Sequence, residues 1–290
     1  MKHYKSILLF TLLACLLFAC KQEPKATAVK KPPVKIPAFN QDSAYVFVEK
    51  QLNFGARNPG SEGHINCKNW FVQKFESYGA TVIAQEFNAN IYTGDSHKAW
   101  NIIAQFNPEI KDRVIISAHW DSRFIGEEDD NKQLKDKPIP GADDGGSGCG
   151  IIIELARILK ENPIDLGVDL VLWDAEDQGN RGRGNNYSWC LGSQHWSKNK
   201  HKKNYKANFG INLDMVGSKN PSFGKDRISL TYAGSVINKV WKLAQSMGYS
   251  DMFLDKQTGE LMDDHRIINE IAGIPMINII NQPDIIDKNS

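Results

Sequence analysis

Apolar positions recur at helical spacing over residues 40–52 and again over 63–78, with the breaker-rich stretch Phe54-Gly-Ala-Arg-Asn-Pro-Gly-Ser-Glu62 between them. This predicts a helix, a loop and a second helix. The pattern then changes. Compact runs rich in β-branched residues at 81–87, 100–106, 113–118 and 168–173 read as strands, and helical spacing over 150–159 sets a helix among them. Two further strands are expected at 208–214 and 275–280, an amphipathic helix at 236–247 and a short helix at 266–272. Alternation of this kind predicts an α/β fold: one globular domain whose mixed, mostly parallel sheet is covered by helices on both faces. The charged segment 127–137 and the Arg/Gly/Asn-rich segment 180–186 read as surface loops that rim a site.

The first residues break this pattern. Met-Lys-His-Tyr-Lys carries positive charge, and residues 6–19 are apolar over a length too short to span a bilayer comfortably. That is the layout of a signal peptide covering 1–19. It ends Leu17-Phe-Ala-Cys20, similar to the lipobox of bacterial lipoproteins, in which the cysteine becomes the lipidated N-terminus; the alternative is a lone membrane helix. Residues 20–38, rich in Lys, Pro, Ala and Thr and without an apolar period, read as a flexible tether, and 39–290 as the catalytic domain. The expected location is the bacterial cell envelope, lipid-anchored at Cys20, on the periplasmic side.

At 290 residues and 41% hydrophobic content the chain can bury a substantial core. Removal of Lys2 and Lys5 with the leader takes the formal charge from +1 to −1, which points away from nucleic acid and from a polybasic membrane surface. A monomer acting on small substrates is expected. Cys67, Cys149 and Cys190 remain, an odd number without zinc-knuckle spacing, so at most one disulfide can form.

Candidate chemistry gathers where strands end. His119-Trp-Asp121 follows one strand, Asp174-Ala-Glu176-Asp177 follows another, and Asp143-Asp144 lies in the glycine-rich turn Gly141-Ala-Asp-Asp-Gly-Gly-Ser-Gly148 before a helix. In open α/β sheets ligands bind at such strand ends, and carboxylates with imidazole there suit a zinc ion with a neighbouring general base. Each residue also has a structural reading. Asp144 is a metal ligand or a helix N-cap. Glu176 and Asp177 divide into a ligand and a proton carrier, or stand in a solvated loop. His119 is a site group or a structural histidine satisfied by Asp121. Asp214 and the Asp263-Asp264-His265 triplet are site groups or turn acids, and Trp120, Trp173, Trp189 and Trp196 fit packing better than a substrate pocket.

Taken together, Gly55-Ala-Arg-Asn-Pro-Gly-Ser61, His119-Trp-Asp121, Gly141-Ala-Asp-Asp144, Asp174-Ala-Glu-Asp177, Asn212-Leu-Asp-Met-Val-Gly217 and Asp263-Asp-His265 resemble the zinc aminopeptidase superfamily through most of residues 40–283. Asp214-Met-Val-Gly-Ser-Lys-Asn-Pro221, the Leu-Gly-Ser-Gln-His195 segment and the Asp-Asp-His triplet resemble its animal-type glutaminyl cyclases, a branch with bacterial lipoprotein members. The resemblance implies a zinc aminopeptidase-like fold, one Zn2+ held by Asp144 and Asp177, Glu176 as general acid/base, and Asp214 with Asp263 as a hydrogen-bonding pair supporting the site. Aspartate at 177 resembles the bacterial cyclases, where glutamate is usual elsewhere.

The implied activity is cyclisation of N-terminal glutamine of peptides and proteins to pyroglutamate with release of ammonia. Two alternatives accompany it: a zinc aminopeptidase, in which His119 engages a second zinc, and an inactive superfamily domain serving as a lipoprotein binding module. The superfamily's last zinc ligand is a histidine beyond the final strand. No histidine follows His265 in this chain, so the resemblance predicts a catalytic domain shortened at its C-terminus. His265 belongs to the triplet and is a poor substitute.

Overall fold

Alternating residues of the central strands point to opposite faces of the sheet, and each face carries its own apolar cluster. The computed structural model describes residues 36–182 and 186–283. The expected leader, Cys20, the expected tether up to residue 35, part of the 180–186 loop and residues 284–290 lie outside the described residues. From Pro37 onward the described chain is one compact unit.

Helix α1, Gln41–Leu52, begins at Asn40, whose side chain accepts from the Ser43 amide, and α2, Glu62–Ser77, begins at Ser61, which accepts from the His64 amide. Strands β1 (Thr81–Asn90) and β2 (Ser96–Phe106) form an antiparallel hairpin, followed by β3 (Arg113–His119), α3 (Ser147–Glu161), β4 (Gly167–Trp173), α4 (Leu191–Lys198) and β5 (Phe209–Asp214). Then come β6 (Phe223–Lys225), α5 (Arg227–Ser246), β7 (Phe253–Gln257), the single turn α6 (Asp264–Ile267) and β8 (Met276–Ile280). The main sheet has the order β1-β2-β4-β3-β5-β8. β2 pairs antiparallel with β4, whereas the β4/β3, β3/β5 and β5/β8 pairings are parallel, so the mixed, mostly parallel α/β expectation holds.

Ile102, Ala104, Val114, Leu170 and Leu172 face Phe71 and Phe75 of α2 and Ile152 and Ile153 of α3. Their strand neighbours Ile103, Ile115, Val171 and Trp173 face Trp196 of α4, Ile268 and Met276. Two-sided burial explains why β4 is buried along its whole length and reads as an unbroken apolar run.

Several boundaries differ from expectation for identifiable reasons. β1 and β2 extend to Asn90 and back to Ser96 because the hairpin's outer end is polar and half exposed. The helix expected at 236–247 starts at Arg227, capped by Asp226; its first turns are hidden in the sequence by a kink at Ala233 (φ −134°, ψ 34°) followed by Gly234. The helix expected at 266–272 is instead the turn α6 continued by a π-helical turn, Ile268–Ala272, which Gly273 closes at φ 68°. β6 and β7 form a separate small sheet that pattern reading did not anticipate, because β6 is three residues long. No helix among the described residues is long and apolar enough to cross a membrane. Cys67, Cys149 and Cys190 are all buried and free, so the one disulfide the sequence permitted is not formed.

Candidate active site

Parallel register delivers the strand ends to one edge. His119 ends β3 opposite Trp173 of β4, and Asp214 ends β5. The loop before α3 then swings Asp144 over the same edge. It can do so because Gly145 adopts φ +78°, where a Cβ would lie 2.2 Å from the Asp121 carbonyl oxygen and 3.1 Å from His119 Cε1. Asp144 is not the helix cap: α3 is capped at Gly146 without a side-chain bond. Its neighbour Asp143 is a loop tie instead, accepting from the Gly217 amide at 2.7 Å and the Ser218 hydroxyl at 2.6 Å.

His119 is the hub. Its Nε2 lies 2.9 Å from Asp144 Oδ1 and 3.3 Å from Asp214 Oδ1, and Nδ1 stands 3.5 Å from Asp121 Oδ1. His119 thus stands among three carboxylates, with its Nδ1 near Asp121 but without a hydrogen-bond partner. Burial alone would lower its proton affinity, but the carboxylates of Asp121, Asp144 and Asp214 override this and hold it well above the ordinary imidazole range. Ligand atoms of His119, Asp144 and Asp214 all lie within 4.8 Å of one another, close enough to share a cation.

Asp121 organises the adjacent acids. Its Oδ1 accepts from the Glu176 amide at 3.0 Å, and its Oδ2 from the Asp177 amide at 3.1 Å and from Gln178 Nε2 at 2.8 Å. Glu176 and Asp177 are consequently buried rather than in a solvated loop. Burial, reinforced by Asp177, Asp264 and Asp263, raises Glu176 well above the usual carboxylate range. Asp177 is raised too, by burial and then by the nearby charge of Asp144. Arg123 fixes this loop from below, donating to the Asp177 carbonyl at 2.8 Å and to the Gly179 carbonyl at 3.1 Å, with Trp189 stacked on its guanidinium.

Asp214 is pushed up to about 7 by burial, with Asp263 and Asp144 adding repulsion that the His119 bond opposes. Asp214 and Asp263 thus couple through charge, while their hydrogen bonds go elsewhere. Asp263 caps α6 and accepts from Asn212 Nδ2 at 2.9 Å and from Asn278 Nδ2. His265, set aside as a ligand, pairs with Asp226 at 3.1 Å. Trp120, Trp173 and Trp196 are fully buried packing residues.

Three residues visible in the sequence take site contacts that the sequence did not assign them. Asp264, fully buried and bonded by Ser193 Oγ, raises Glu176 together with Asp263. Cys190 donates from Sγ to Glu176 Oε1 at 3.3 Å, and from its amide to the Glu176 carbonyl at 2.9 Å. Arg57, fully buried, donates to the carbonyls of Trp120, Pro140 and Gly141 and so ties the β3 loop to the Asp144 loop. Only the glycine-rich context of Asp144 hinted at this crowding.

The residues suit a divalent cation. Asp177 Oδ2 is buried without a hydrogen-bond partner, beside Asp144 and the other carboxylates, and such an orphaned acceptor costs free energy unless a cation or proton meets it. All the donors are hard oxygen or imidazole nitrogen, within the set that zinc accepts.

Residues 101–288 match Peptidase family M28. Among curated proteins, the chain is 30% identical over 177 residues to aminopeptidase YwaD of Bacillus subtilis (58% of this chain, 32% of that protein) and 25% identical over 188 residues to a glutaminyl-peptide cyclotransferase of Gloydius blomhoffii (58% and 50%). It spans half or less of the length of these curated relatives. Solved structures match over more. The Tannerella forsythia glutaminyl cyclase is 43% identical with TM-score 0.83, covering 86% of this chain and 87% of that one. The Bacteroides thetaiotaomicron glutaminyl cyclase bound to N-acetylhistamine is 41% identical with TM-score 0.83, covering 86% and 87%. A Zn-dependent exopeptidase from Parabacteroides distasonis is 41% identical with TM-score 0.82, covering 85% and 86%. The chain belongs to peptidase family M28.

Proposed function

We propose that the chain cyclises N-terminal glutamine of peptides to pyroglutamate, releasing ammonia, with one zinc ion held by Asp144 and Asp177. The observation that carries this reading is the buried Glu176, whose proton affinity burial raises, beside the unpaired oxygen of Asp177. The likeness to glutaminyl cyclases at 41–43% identity supports it. When bound, zinc supplies Lewis acidity toward the substrate's side-chain amide carbonyl.

The chain's own groups do the rest. Glu176 accepts a proton from the substrate α-amine as its nitrogen forms a bond to the side-chain amide carbon, and returns it to the departing nitrogen, which leaves as ammonia. The nucleophile is part of the substrate, so proximity replaces an activated water. Asp264 and Asp263 hold the proton affinity of Glu176 high, and Asp121 keeps Glu176 and Asp177 at fixed depth through their amides.

A second reading is favoured by one observation, the close approach of His119, Asp144 and Asp214. It makes the chain an aminopeptidase with a second cation there and Glu176 as base toward water.

Glu176→Gln tests the role common to both. It is expected to lower turnover of a Gln-initiated peptide by at least ~10³-fold while leaving the circular dichroism spectrum unchanged. A variant that retains turnover would remove Glu176 from the mechanism.

A further inference from the structure

At the opposite end of the sheet the chain collects positive charge around a concavity. Arg113 begins β3 and His119 ends it, so this place lies a strand's length, roughly 20 Å, from the carboxylate edge. The cavity, about 620 Å³, is lined by Lys111, Arg113, Lys202, Lys203 and Lys206, with Glu109 its one acidic lining residue. A second cavity, about 740 Å³, shares Asn204, Tyr205 and Lys206 with the first and adds Lys200.

The chain as a whole is nearly neutral, +1 overall, so this concentration is local, and the whole-chain charge by itself implies no polybasic membrane surface. The fold builds it. A turn closed by the Tyr205 amide on the Lys202 carbonyl, with Asn204 at φ 59°, sets the lysines around the cavity mouths. Two ammonium groups are pinned at the walls, Lys202 Nζ on the Pro108 carbonyl and Lys200 Nζ on the Ala272 carbonyl, each at 2.8 Å. Arg113 is paired with Asp169 beneath the floor. Lys111, Lys203 and Lys206 remain exposed. Like charges around a concave surface repel one another and focus potential outward, an arrangement that an anion relieves.

We infer that this cavity is a binding site for a ligand carrying clustered phosphate groups, separate from the carboxylate site and independent of the reaction performed there. The chemistry fits a soluble polyphosphorylated molecule or a phospholipid headgroup, and the test separates them. Binding of inorganic tripolyphosphate is measured by titration calorimetry at low and high salt. Cosedimentation uses vesicles of equimolar phosphatidylcholine and phosphatidylglycerol. Both are repeated with the double variant Lys203→Glu, Lys206→Glu, which touches no group of the carboxylate site.

Tripolyphosphate binding that weakens with salt, and by at least about tenfold in the variant, assigns a soluble ligand. Binding confined to vesicles and lost in the variant assigns a headgroup. No binding to either probe, or equal binding by the variant, overturns the inference. Turnover and circular dichroism unchanged in the variant confirm that its effect is local.

Discussion

Three residues with side chains sit at positive φ beside the site carboxylates: Ala175 (52°) before Glu176, Met215 (44°) after Asp214, and Cys190 (57°) against Glu176. Such conformations cost about 1–2 kcal/mol each, and their clustering here marks strain held where precision is needed. Cys190 clamps both ends of Glu176, the carbonyl through its amide and the carboxylate through its thiol. Cys190→Ala is therefore expected to lower kcat about tenfold with little change in KM, an effect of roughly 1.4 kcal/mol on a group positioned for the reaction, and Cys190→Ser to restore most of the loss. Wild-type kcat in the alanine variant would contradict this role. At this scale the acids themselves were legible, since consecutive carboxylates after an apolar strand are unusual in sequence. Their supporters were not. Cys190 acts across the fold on Glu176, and Asp264, though named with its triplet, is tied to Glu176 only by tertiary structure, which no local pattern announces.

Elements position these residues, and the tightest junction is the start of α3. Gly145 can be replaced only by moving the Asp121 carbonyl, which lies where a Cβ would go. Gly145→Ala is expected to destabilise the protein by about 3 kcal/mol or more, combining a left-handed backbone with a steric clash, and, by displacing Asp144, to weaken zinc binding if the proposed ligand role of Asp144 holds. Chemical denaturation with a metal titration checks both, and an alanine variant as stable as wild type would show that the loop adapts. The main strands and the first two helices could be read from the chain because burial on one or two faces writes a period into the sequence. α5 was half missed because the Ala233 kink and Gly234 interrupt that period. α6 was misread because a turn that passes into a π-turn carries the same apolar spacing as a regular helix.

Across the whole molecule the two ends of the sheet gather different groups, carboxylates around His119 at one and lysines around a cavity at the other. Between the second cluster and the core lies His201, which accepts from Trp196 Nε1 at 3.0 Å through Nδ1. Burial, with Lys202 and Arg113 assisting against Asp169, lowers it from 6.5 to about 4. The folded state thus binds this proton less readily than the unfolded chain, so its contribution is complete above about pH 6.5 and is lost as pH falls toward 4. Urea unfolding at pH 7 and pH 5 should show a loss of roughly 1–2 kcal/mol from this group, absent in His201→Gln. Identical slopes in the two proteins would contradict the assignment. Neither this separation of groups nor this histidine could be read from composition, because net charge sums over the positions that folding separates.

The proposal that joins these scales is that a buried carboxylate, Glu176, beside a carboxylate-held cation takes the proton of a peptide's own amine as that amine closes on the glutamine side chain and returns it to the departing ammonia. Mass analysis of a Gln-initiated peptide incubated with the zinc-supplemented protein tests it most directly. Loss of ammonia alone, with a peptide lacking N-terminal glutamine left unchanged, is the predicted result. Stepwise loss of whole N-terminal residues would contradict it and assign the carboxylate edge to peptide hydrolysis.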